Sequence, residues 1–198
     1  EAFAKSSNVY FAKALDSAFR DRPHEYIKFL RQAGLHGRTG VDIKGEPLPF
    51  IKDPSFTDHK DKKAWTGITL PWMSIGYELK ITPIQMLNLY NAVANGGKLM
   101  RPYLVNQVVQ DGDLIEGIAP RVLSERICSK KVQAQLEEMM LLPVEDEKGT
   151  ARNIRNKHFR IAGKTSTCKI AKKGNYGKVY QASFAGYFPA DDPIYSCI

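Results

Sequence analysis

Apolar residues recur at three- and four-residue intervals in four stretches of this chain, and cluster or alternate in four more. From Asn8 to Phe19 the positions Val9, Phe11, Ala12, Leu15, Ala18 and Phe19 share one helical face, with Ser6, Ser7 or Asn8 as the cap. A second helix is predicted from Pro23, a favoured first-turn residue, through Tyr26, Ile27, Phe29 and Leu30 to a stop near Gly34. Thr82-Pro83 starts a third. Its stripe of Ile84, Met86, Leu87, Leu89, Tyr90, Val93 and Ala94 marks a core helix, and Asn95-Gly96-Gly97 ends it. Residues 129–142 form a fourth, with Val132, Leu136, Met139 and Met140 on one face and Ser129 as its cap. Between the second and third helices, residues 34–72 are rich in Gly, Pro, Asp and Lys with little periodicity. They read as a long surface excursion, anchored by Trp65 and Trp72.

Strand patterns concentrate further along. Residues 103–109 are β-branched and apolar, Asp111-Gly112 is a turn signal, and residues 114–118 resume the run, which predicts a hairpin. Residues 159–168 and 179–188 are strand-like on either side of Lys172-Lys173-Gly174-Asn175-Tyr176-Gly177, read as a hairpin loop. The pattern therefore predicts a mainly helical part over residues 1–157 and sheet strands over 158–198, with no repeat and no linker dividing independent domains.

Composition narrows the class without choosing a function. Hydrophobic residues make up 43% and charged residues 25%, the balance of a globular chain rather than a disordered one. The net charge of +8 favours anionic partners. The basic residues are scattered, with no long run and no aromatic-flanked RNA signature, so a nucleic-acid-binding domain is the weaker reading. Cys128, Cys168 and Cys197 form no Cys-x-x-Cys pair and have no His at ligand spacing, so neither a zinc site nor a complete disulfide framework is expected, and no cofactor. His24, His36, His59 and His158 lack partners at useful spacing and read as surface residues. No apolar stretch is long enough to cross a membrane. The chain opens at Glu1 directly into a helical pattern, which suggests that both ends are cut.

Two short motifs carry candidate chemistry. Ser6-Ser7-Asn8 fits Ser-x-Asn at the head of the first helix, and Lys164-Thr165-Ser166-Thr167, after Ala162-Gly163, resembles Lys-Thr-Gly-Thr on a strand. In isolation each has a plainer explanation: a helix cap in the first case, an exposed Thr-rich strand in the second. Their context raises their weight. Thr39-Gly40-Val41-Asp42 with Gly45-Glu46, the long run from Met73-Ser74-Ile75-Gly76 to Pro83-Ile84-Gln85-Met86, and Asn91-Ala92-Val93-Ala94-Asn95-Gly96-Gly97 follow in order. In this arrangement the whole chain resembles the division-type class B penicillin-binding proteins.

That resemblance implies an α/β (α+β) transpeptidase-like fold, in which a helical subdomain packs on an antiparallel sheet. It also implies a D,D-transpeptidase reaction. A serine attacks the penultimate D-Ala carbonyl of a peptidoglycan stem peptide, D-Ala leaves, and an amine of a second strand resolves the acyl-enzyme; β-lactams acylate the same serine. By the same resemblance, Ser6 hydrogen-bonds among the catalytic lysines and relays a proton to the leaving amine, and Asn8 holds the substrate amide. Lys164 supplies positive charge, the Thr165 and Thr167 hydroxyls bind the terminal carboxylate, and the Thr167 N–H forms half of an oxyanion hole. Ser166 stands where the family has glycine, which puts close approach of the substrate in question.

The family's nucleophilic Ser-x-x-Lys precedes Ser-x-Asn, and only five residues precede Ser6 here. The chain is therefore expected to lack it. One formal match, Ser166-Thr167-Cys168-Lys169, falls in a predicted strand, where residues three apart point to opposite faces. Members of the family continue into another strand and a terminal helix, so an uncovered sheet edge is expected near Ile198. The implied setting is the periplasmic side of an inner membrane, with division and cell-wall synthesis proteins as partners. A catalytically inactive binding or scaffolding module of the same fold is the alternative.

Overall fold

The computed structural model describes residues 1–56, 64–172 and 175–198. It resolves into two compact units, one of Asn8–Ser129 and the other of Glu1–Ser7 with Lys130–Ile198. The last long helix packs on the sheet and falls in the same unit as it.

In the Asn8–Ser129 unit, α1 (Asn8–Phe19) and α2 (Pro23–Gln32) occupy the predicted positions. Phe19 joins them through ring contacts to Tyr26 and Phe29, with centroids 5.6 and 5.8 Å apart. Gly34 follows α2 at φ 81°, a left-handed conformation that glycine adopts without a Cβ penalty. No residue of α1 is buried, and Val9 and Ala18 of its apolar set are exposed.

The segment read as a surface excursion is partly internal. It contains β1 (Phe50–Ile51) and the start of α3 (Thr69–Met73), and it buries Leu35, Val41, Ala64 and Leu70. β1 pairs antiparallel with β2 (Leu79–Lys80), and the buried Lys52 beside it forms an ion pair with Glu78. Trp72 packs on Tyr77, centroids 5.5 Å apart, which is the anchoring expected of it. Carboxylates substitute for regular backbone pairing elsewhere in the segment. Glu46 accepts from the N–H groups of Thr39 and Gly40 at 2.8 and 3.2 Å.

Helix α4 (Pro83–Ala94) starts on a reciprocal cap: Thr82 Oγ1 accepts from the Gln85 N–H, and Gln85 Oε1 accepts from the Thr82 N–H. Its buried positions are Gln85, Asn88, Ala92 and Val93; most of the predicted apolar stripe is half-buried. Gln85 lies inside because its Nε2 donates to the Gly37 carbonyl at 2.6 Å. After α4, β3 (Leu99–Met100) pairs with β6 (Val122–Ser124), and β4 (Gln107–Gln110) forms the predicted hairpin with β5 (Asp113–Gly117). Asp111 and Gly112 turn it at positive φ. Its first strand begins later than the apolar run because Asp42 takes the N–H groups of Leu104 and Val105.

In the second unit, α5 (Lys130–Glu145) packs on β7 (Ala162–Lys172). The buried face of α5 is Gln133, Met140, Pro143 and Val144, while Val132, expected there, is exposed. β7 pairs antiparallel with β8 (Asn175–Phe188) from Ala162↔Tyr187 to Lys172↔Asn175. The strands thus run through most of the stretch expected to be loop; residues 173 and 174 of that stretch lie outside the described residues. β9 (Tyr195–Cys197) pairs with β8 at Gly186, Tyr187 and Phe188, giving the order β7-β8-β9 with β7 at an edge. Gly163 and Gly186 face each other across the ladder, and a Cβ on Gly163 would lie 2.5 Å from the Ala185 carbonyl oxygen. Tyr187 is fully buried, and burial pushes its phenol up to about 12.

Candidate active site

The segment before α1 is a tight turn. Lys5, Ser6 and Ser7 donate their N–H groups to the carbonyls of Glu1, Phe3 and Ala2 at 3.0, 3.2 and 3.0 Å. The turn holds Ser6 at φ 55°, a left-handed conformation uncommon for a residue with a side chain. Ser6 is half-buried, and its hydroxyl accepts a hydrogen bond from Lys164 Nζ. The same ammonium donates to the Thr165 carbonyl at 3.0 Å and lies 5.8 Å from the centre of the Phe3 ring. Lys164 follows the buried Ala162-Gly163 on β7, and burial lowers its pKa below the usual 10.5.

Thr165, the next residue, brings in a partner that the sequence reading missed. Its Oγ1 is 2.6 Å from Thr150 Oγ1. Thr150 lies between Gly149 and Ala151, just beyond the end of α5. Its own N–H donates to the Ala4 carbonyl at 3.2 Å. A Gly-Thr-Ala triplet separated by three residues from the end of a helix is the only signal the sequence offered for it. Ser166 and Thr167 follow on β7, exposed, opposite Ser183 and Ala182.

The formal Ser-x-x-Lys match from Ser166 to Lys169 lies wholly within β7, not on a helix. Ser6, Lys164, Thr165, Ser166 and Thr167 therefore belong to one unit, while Asn8 is the exposed first residue of α1 in the other. His24, His36 and His158 are exposed; His59 lies outside the described residues. Cys168 and Cys197 are exposed thiols. Among the described residues there is no group of three or more His, Cys, Asp or Glu placed to hold a metal ion, and no helix is long and apolar enough to cross a membrane.

The sequence matches the family model described as the penicillin binding protein transpeptidase domain over residues 1–198. The chain belongs to this family. Among its curated relatives is penicillin-binding protein PbpB of Mycolicibacterium smegmatis, 32% identical over 205 residues that cover 98% of this chain and 29% of that protein. Peptidoglycan D,D-transpeptidase FtsI of Buchnera aphidicola is 31% identical over 97% of this chain and 30% of its own length. Among solved structures, penicillin binding protein 3 of Mycobacterium tuberculosis complexed with aztreonam superposes with a TM-score of 0.80 at 30% identity, covering 98% of this chain and 43% of that one. The resemblance read from the Ser-Ile-Gly to Asn-Gly-Gly stretch is borne out, as is the fold of helices with antiparallel sheet. The chain spans under a third of these two curated relatives.

Proposed function

We propose that the intact protein is a serine-type peptidoglycan D,D-transpeptidase, and that this chain supplies the substrate-holding wall of its active site. The observation that carries the reading is the hydrogen bond from Lys164 to Ser6. With Lys164 donating to its oxygen, the Ser6 hydroxyl has its own proton free to give, as a relay to a leaving amine requires. Lys164 places a cation next to Thr165, and the hydroxyls of Thr165 and Thr167 bind the terminal carboxylate of a D-Ala-D-Ala stem peptide or of a β-lactam. β7 is an edge strand, so outward backbone groups on it are open to an extended peptide. The Thr167 N–H serves as half of the oxyanion hole, Asn8 holds the substrate amide, and the nucleophile comes from a Ser-x-x-Lys segment outside these residues. The aztreonam complex of the similar M. tuberculosis protein supports β-lactams as ligands. The setting we assign is the periplasmic face of a membrane, anchored outside this chain, alongside other division and cell-wall proteins.

Ser166, in the place of the family's glycine, favours a second reading: a binding or scaffolding module of the same fold that has lost catalysis. Release of D-alanine from a pentapeptide substrate by the intact protein separates the two. Transpeptidation predicts release, reduced about 100-fold or more by Lys164→Ala, the scale of removing a preorganised charge donor. No release from the intact wild type, with the stem peptide still bound, would favour the scaffold.

A further inference from the structure

Thr150 belongs to neither of the two motifs, yet it touches the parts of the chain that carry both Ser6 and Lys164. Its position is fixed from both sides. Gly149 donates to the Asp146 carbonyl at 2.9 Å and Ala151 to the Pro143 carbonyl at 2.8 Å, folding the chain back on the end of α5. A Cβ on Gly149 would stand 2.3 Å from the Pro143 carbonyl oxygen and 2.8 Å from that of Leu142, so only glycine allows the approach. Ala151 is buried. Between these two anchors, the Thr150 N–H reaches the Ala4 carbonyl, two residues before Ser6, and its hydroxyl reaches Thr165, next to Lys164.

Two hydroxyls 2.6 Å apart share one proton along the line between them, so only one of the pair donates. If Thr165 donates to Thr150, it turns lone pairs toward its remaining neighbours, and a carboxylate is repelled. If Thr150 donates to Thr165, the Thr165 proton is free for an anion, and the bond it then makes is strengthened by the first. The contact also holds the Thr165 side chain in one staggered position, so its oxygen does not have to be ordered when the ligand arrives.

We propose that Thr150 is a positioning residue for the anionic end of the substrate. Its hydroxyl donates to Thr165 and directs the Thr165 proton to the ligand carboxylate, while its backbone N–H ties the Ser6 turn to the same strand. This rests on the transpeptidase reading above, and it adds a residue to that site.

The test is the second-order rate of acylation of the intact protein by a fluorescent penicillin, with the same penicillin carrying its carboxylate as a carboxamide for comparison. Thr150→Val keeps the size and the backbone bonds but removes the donor. It should slow acylation by the carboxylate form about 3- to 10-fold, the worth of one hydrogen bond in a network, and should leave the carboxamide rate unchanged. Thr150→Ser should restore the wild-type rate. In a Thr165→Val background, Thr150→Val should add nothing, since the group it acts through is gone. An unchanged rate in Thr150→Val, equal losses on the carboxylate and carboxamide forms, or a full additive loss in the Thr165→Val background would each overturn the proposal. If Thr150→Val fails to fold, as its thermal transition would show, Thr150→Ala takes its place in the wild-type and Thr165→Val backgrounds, and the same outcomes decide. A wild-type protein that is not acylated at all contradicts the transpeptidase reading itself, a result distinct from acylation that is indifferent to Thr150.

Discussion

Lys164 donates a hydrogen bond to Ser6 across 158 residues of sequence. One member sits in a strained turn at φ 55°, the other on an edge strand, and each restricts the other's freedom. The backbone bonds of the turn hold Ser6 in the left-handed region, and the bond from Lys164 fixes its hydroxyl.

Burial of the Lys164 ammonium gives a pH signature. Its folded pKa lies below 10.5, so the folded chain releases this proton before the unfolded chain does. At pH values below the folded pKa both states are charged and the buried charge costs stability. That cost is relieved as pH rises from the folded value toward 10.5. Competitive acetylation of the intact protein across this range should show Lys164 reacting with a midpoint below 10.5. A midpoint at 10.5 or higher would contradict the lowered pKa.

Gly149 sets where Thr150 stands, and Gly149→Ala drives a Cβ into backbone carbonyls at the end of α5. The expected cost is about 3 kcal/mol in chemical denaturation, as for overpacking a site that cannot yield. An unchanged denaturation midpoint would show that the turn has slack.

Gln85 is buried and bonded at both ends of its amide, to Gly37 and to Thr82. Replacement by the similarly shaped Met strands a carbonyl and an N–H, at about 2–4 kcal/mol. Thr82→Ala, which removes the cap hydroxyl but leaves the Thr82 N–H bonded to Gln85 Oε1, should cost about 1 kcal/mol. Denaturant midpoints of the two variants should fall in that order.

Glu78 neutralises the buried Lys52 from a backbone position at φ 61°. Glu78→Ala leaves an uncompensated charge inside and should destabilise by about 3–5 kcal/mol. Lys52→Met with Glu78→Gln, which removes both charges, should recover most of the loss. A double variant as unstable as Glu78→Ala alone would show that charge is not the cause.

The helix boundaries were legible wherever a local device marks them. Pro23, Thr82-Pro83 and Gly34 act within a turn of their own position, and α2 and α4 begin where they predict. The buried face of α4 was not legible, since Gln85 is inside only because the Gly37 carbonyl meets it there. The β7–β8 hairpin ran longer than its apolar runs because ladder bonds from Lys172 to Asn175 do not need apolar side chains. In the site, Ser6 and Lys164 were found through motif resemblance, which stands in for distance in space. Thr150 had no such guide: its role comes from contacts to Ala4 and Thr165, distant in sequence, that no local pattern encodes.

In the proposed site these residues hold the substrate while the reacting atom comes from elsewhere in the protein. Peptide mapping by mass spectrometry after labelling the intact protein with penicillin tests it most directly. One acyl adduct is expected, on a serine outside residues 1–198 that is followed three positions later by lysine, and it should be lost in Lys164→Ala. An adduct on Ser6 or Ser166, or no adduct on the wild-type protein, would contradict it.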